Sequence, residues 1–116
     1  MQPEPRGAVT TRVQIPAAGP RTRHYWGLPP KLTGGVDTRR DMQPAALVLA
    51  QPAGGGSWYL DRFGRDGSFA GNTWHETWAD AMDQLQFEYL PSFAFELVPE
   101  GVPDPKAYAQ KLACLD

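Results

Sequence analysis

The stretch from Trp78 to Tyr89 constrains this chain more than any other. Trp78, Ala81, Met82, Leu85 and Tyr89 recur at spacings of three and four, so on a helix they share one apolar stripe, while Asp80, Asp83 and Gln84 fall off it. Thr77 reads as the N-cap, with Asp80 three residues on as a weaker relative of the capping-box acid. Glu76 and Asp80 stand where the helix dipole favours negative charge, and Pro91 ends the segment. Burying four large side chains contributes roughly 6–12 kcal/mol gross, which the ordering of such a helix consumes. The helix therefore needs a second apolar surface, and the source of that surface decides the fold class.

The preceding residues supply it as strands. Ala45 to Ala50 is a short apolar run between Pro44 and Pro52, which suits a strand covered on both faces. The Gly54-Gly55-Gly56 link leads into the aromatic run Trp58 to Phe63, and the Asp66-Gly67 turn pair into Ser68 to Gly71. These three segments predict an antiparallel meander. After the helix, Phe93, Phe95 and Leu97 alternate to one side and predict a fourth strand. Asp104-Pro105 opens a short last helix with Tyr108, Leu112 and Leu115 on one stripe. The expected class is α+β: an antiparallel sheet of about four strands, one main helix packed on one face and a short C-terminal helix, in the order βββαβα.

Residues 1–23 carry Pro3, Pro5, Pro16 and Pro20 among small and charged residues, with only Val13 and Ile15 hinting at a strand. Such a segment buries too little to offset ordering, so the expectation is a disordered basic arm before a single domain at 24–116. Residues 1–40 hold seven Lys or Arg against two acids, and residues 41–116 hold four against eleven. The arm is expected to lie on its own acidic domain or to be solvated. Nucleic-acid binding is disfavoured, because the arginines are scattered and no aromatics interleave them. No apolar stretch reaches membrane-spanning length and no export signal opens the chain. The lone Cys114 fits a reducing cytoplasm and, at the end of a helix, reads as a small hydrophobic filler.

Trp74-His75-Glu76 places an imidazole and a carboxylate just ahead of a helix N-terminus, a setting that can orient a base or bind an anion. The alternative is a structural corner, with Trp74 anchored in the core and the polar neighbours capping. A general base needs a partner within hydrogen-bond reach, and Asp61 and His24 are the candidates to check. Metal binding is disfavoured, since His24, His75 and Cys114 match no cluster spacing, and no cofactor motif is present: the triple glycine lacks a following Gly-Lys-Ser/Thr. Phe87 lies opposite the Trp78 stripe, so either the C-terminal helix covers it or it marks a partner surface.

Gly34-Gly35-Val36-Asp37-Thr38-Arg39-Arg40-Asp41, with Gly71-Asn72-Thr73-Trp74-His75-Glu76-Thr77 running into Asp80-Ala81-Met82 and Phe87-Glu88-Tyr89, resembles a group of small uncharacterised bacterial proteins. The resemblance covers roughly residues 24–105 and excludes the arm. Its most specific part is the Thr-Trp-His-Glu-Thr element. Relatives often carry Asp where this chain has Asn72. The resemblance implies a bacterial origin and a shared fold, and transfers no catalytic residue. The expected function is a non-catalytic protein-binding or accessory module whose acidic body docks a basic partner, with immunity-like or antitoxin-like inhibition as one concrete version. The alternative is a small enzyme or ligand-binding domain with a site around His75, Glu76 and Asp61.

Overall fold

A computed structural model describes residues 3–115. In chain order the elements are β1 (Val9–Arg12), β2 (Tyr25–Trp26), a 3-10 turn (Pro30–Leu32), β3 (Arg40–Asp41), β4 (Leu47–Gly54), β5 (Ser57–Phe63), β6 (Phe69–His75), α1 (Trp78–Glu88), β7 (Glu96–Leu97) and α2 (Pro105–Cys114). The class is α+β, as the residue patterns predict. The main sheet is antiparallel with five strands in the order β6-β5-β4-β1-β7, and β2 pairs with β3 as a separate two-stranded ribbon. Among the described residues no helix is long and apolar enough to cross a membrane.

The meander β4-β5-β6 forms where the apolar and aromatic runs predict it. Gly54, Gly55 and Gly56 all take positive φ, and the Ser57 hydroxyl donates to the Gly54 carbonyl at 2.6 Å, closing the first turn. In the second turn the Asp66 carboxylate accepts from the Ser68 amide and hydroxyl, both at 2.9 Å. Strand alternation then sorts the side chains to two faces. Val48, Ala50, Trp58 and Leu60 pack with Trp78, Ala81, Met82, Leu85 and Tyr89 of the α1 segment. Leu47, Leu49 and Phe63 pack with Ala109 and Ala113 of α2. The sheet is therefore covered on both faces, α1 on one and α2 on the other. Thr77 caps α1 as expected, its hydroxyl accepting from the Asp80 amide at 3.1 Å.

Three expectations are corrected. The first is the disordered arm. Val9–Arg12 is an inner strand, inserted between β4 and β7, and only Met1 and Gln2 of the arm lie outside the described residues. A half-polar strand gains order by pairing with an already formed β4, so it needs less apolar area than an isolated segment would. Val9 and Val13 still reach the α1-side core. Arg12, on the other face, donates to the carbonyls of Leu112 and Leu115 at 2.9 and 3.0 Å, capping the C-terminal end of α2 with a cation.

The second is the strand at Phe93 to Val98, which shrinks to Glu96–Leu97. Phe93 and Phe95 leave the ladder to pack on the α1-side core, with the Phe95 ring 5.4 Å from that of Trp78, and Leu97 is exposed. The third is the face of the last helix. Ala109 and Ala113 are its buried residues and Leu115 is exposed, because small side chains let α2 approach the sheet closely. Cys114 is exposed too, with its thiol donating to the Asp66 carbonyl at 3.0 Å.

Candidate functional site

β6 runs into α1 at the corner that holds Trp74, His75 and Glu76, and these three residues part company there. Trp74 pairs with Tyr59 across β5 and β6 on the α2 side of the sheet. Both side chains stand exposed, beyond the reach of α2, so Trp74 is not a core anchor. His75 points to the α1 side. Its Nε2 lies 2.7 Å from Thr73 Oγ1, which also accepts from Arg62 at 3.1 Å. The guanidinium can only donate, which leaves the Thr73 hydroxyl a second lone pair and its proton, so it can pair with either tautomer of the imidazole. Burial, aided by the Arg62 charge and opposed by Glu88 and Asp80, lowers the His75 pKa below its usual value and so favours the neutral ring. Glu76 is exposed ahead of the helix.

Asp61 is fully buried on the face opposite His75. The Asn72 amide donates to one of its oxygens at 2.6 Å and the Gln51 amide to the other at 3.1 Å. These two cross-strand amides satisfy the carboxylate without a cation. Asn72 is here a donor to Asp61. Asp61 and His75 therefore belong to separate layers, and the alternative site of His75, Glu76 and Asp61 does not converge.

The interior charge that does converge was not singled out by the patterns. Arg62 is fully buried on the α1 side, where it grips Glu88 with Nε to Oε1 at 3.0 Å and Nη2 to Oε2 at 2.5 Å. The Gln84 amide donates to Oε2 at 2.6 Å and His24 Nε2 to Oε1 at 2.8 Å. Four donors thus fill the acceptor capacity of one carboxylate. Burial pushes the Glu88 pKa up, but the bonds from His24, Arg62 and Gln84 and the Arg62 charge outweigh it and hold the group down at about 2. Both charges were legible in principle. Arg62 alternates with Trp58 and Leu60, and Glu88 follows Leu85 by three, so both fall on buried positions of their elements.

His24 reaches this cluster from the segment read as the start of order, and its ring lies against Gly71. Gly71 has φ of +126°, and a Cβ there would stand 2.7 Å from His24 Cγ. Gly71→Ala is therefore expected to lower stability by more than about 1 kcal/mol, measured as a shift of the urea midpoint. Glu88 and His24 of this cluster line a cavity of about 420 Å³, together with Ile15, Pro20, Ala45 and Tyr89 and the exposed Arg21 and Arg23.

Phe87 is not covered by α2, which packs on the opposite face of the sheet. It is 52% exposed. Asp80, Asp83 and Phe87 follow one another at spacings of three and four and are all exposed, so they form one outward stripe along α1, with the exposed Glu76 just ahead of the N-cap. None of the three acids enters an ion pair among the described residues, and α1 contains no Lys or Arg. Among the described residues no group of three or more His, Cys, Asp or Glu could hold a metal ion. Compared with protein families, with curated proteins and with solved structures, the chain matches none.

Proposed function

We propose that this is a non-catalytic binding module of a bacterial cytoplasm that docks a basic protein partner through the outward face of α1. Immunity-like or antitoxin-like inhibition is one concrete form of that role. The observation that carries the reading is the stripe of Asp80 and Asp83, in no ion pair among the described residues and preceded by the exposed Glu76, that ends in a half-exposed phenylalanine. Glu76 and Asp80 also serve the helix N-terminus, but the dipole effect fades beyond the first turn, so it accounts for neither Asp83 nor Phe87. Unpaired acids without interspersed cations steer a positive surface into contact, and an exposed aromatic at the end of the stripe supplies an apolar anchor. The charged interior supports the same reading from the other side: Glu88 and Arg62 are saturated by hydrogen bonds within the fold, an arrangement suited to architecture.

The test is recovery of associated chains from the host of origin by tagged wild-type protein and by the Asp80→Lys/Asp83→Lys variant. The expected result is a basic chain retained by wild type at low salt, released as salt rises, and absent from the variant. Recovery of no basic chain, or equal recovery by both proteins, would count against the reading.

A further inference from the structure

We infer that the cavity above Glu88 and His24 is a binding site for a small amphiphilic anion, a carboxylate-bearing molecule with an apolar body. The inference uses none of the outward carboxylates of α1 and stands apart from the partner-docking role. The cavity, about 420 Å³, falls in the size range of small-molecule sites, which are mostly apolar with a few placed polar groups. Ile15, Pro20, Pro44, Ala45, Ala70 and Tyr89 supply apolar wall.

The sign of the ligand follows from which polar groups are already engaged. The Glu88 carboxylate takes four hydrogen bonds from protein donors. The Asp41 carboxylate at the rim is paired with Arg23. A cationic ligand would therefore meet a Glu88 with no acceptor capacity left and would share Asp41 with Arg23. Arg21 differs: its Nη1 donates to the Phe87 carbonyl at 3.2 Å, and it enters no ion pair among the described residues. A guanidinium carries five N–H donors, so this rim cation keeps most of its donor capacity for a ligand. The segment that carries it is held in place, because the Leu90 amide donates to the Gln14 carbonyl at 3.0 Å and the Met42 amide to the His24 carbonyl at 2.8 Å. An apolar chain seated against Ile15, Pro20 and Ala45 with its carboxylate at Arg21 satisfies both halves of the site.

The experiment titrates nitrogen-labelled full-length protein with octanoate, octanol and octylammonium below their aggregation limits, following backbone amide shifts. The expected result is saturable octanoate binding with shifts clustered at residues 21–24 and 42–45, and octanol and octylammonium each at least about tenfold weaker, as loss of a charge-assisted hydrogen bond requires. Arg21→Glu, an exposed change, should weaken octanoate by at least about tenfold while leaving octanol unchanged. Ala45→Phe, which fills the wall, should weaken octanoate and octanol alike, with retained amide dispersion showing that the variant folds. Octylammonium or octanol binding as tightly as octanoate, octanoate shifts outside these segments, an unchanged affinity in Arg21→Glu, or no saturable octanoate binding would overturn the inference.

Discussion

Glu88→Ala is expected to lower the free energy of unfolding by about 3–5 kcal/mol, because it strips a buried guanidinium of its counter-charge. Arg62 is fully buried and would keep the Leu60 carbonyl at 3.2 Å and the Thr73 hydroxyl at 3.1 Å as neutral acceptors. Two neutral acceptors do not replace a bidentate carboxylate for a cation removed from water. Gln84 and His24 would lose their acceptor as well. A domain of this size typically has about 5–15 kcal/mol in total, so the loss takes a large share of the whole. Removing both charges together, as Arg62→Met with Glu88→Leu, should restore most of the loss, since an apolar pair of similar volume leaves no uncompensated ion. Urea unfolding followed by circular dichroism measures all three proteins.

The same pair sets an acid limb. The folded Glu88 titrates at about 2, below its ordinary value of 4.5, so the unfolded chain binds a proton that the folded chain refuses. Its stabilising contribution is complete above about pH 4.5 and declines as pH falls toward 2. The double apolar variant should lack this component of the acid loss.

Trp58→Ala is expected to cost about 3–5 kcal/mol as a large-to-small change in the core. Trp58 is almost fully buried, and its ring lies 4.8 Å from that of Trp78, which in turn meets Phe95. The chain of rings ties β5 to α1 and to the segment after it, so a void there loosens three parts of the molecule. Trp58→Phe should cost much less. Among the described residues the buried indole Nε1 has no hydrogen-bond partner, and phenylalanine removes that donor along with the lost volume. Thermal and urea unfolding of the two variants side by side distinguishes these outcomes.

What could be read from the residues follows the range of the forces involved. The α1 stripe and its Thr77 cap are local patterns, and the runs at Leu47 and Trp58 carry their own strand signal, so both appear where expected. β1 carries little signal because its order comes from partners about forty and ninety residues away, β4 and β7. The C-terminal helix misled through residue size: the larger residues Tyr108 and Leu115 suggested the core face, whereas close approach to the sheet favours Ala109 and Ala113. Of the candidate site residues, Phe87 was legible as an off-stripe aromatic, while Asp61 and His75 were drawn together although strand alternation separates them. Arg62 and Glu88 went unmarked because a charge is read as solvent-facing, even at a position whose period says buried. The cavity had no local signature, since its walls come from segments scattered between Ile15 and Tyr89.

The charges of the molecule divide into an inner set bonded within the fold and an outer set along α1 that we propose meets a partner. The most direct measurement compares recovery of the basic chain by the Arg62→Met/Glu88→Leu variant, folded and without its inner pair, with recovery by Asp80→Lys/Asp83→Lys. The expected result is wild-type recovery by the first and none by the second; loss by the first with retention by the second would contradict that division.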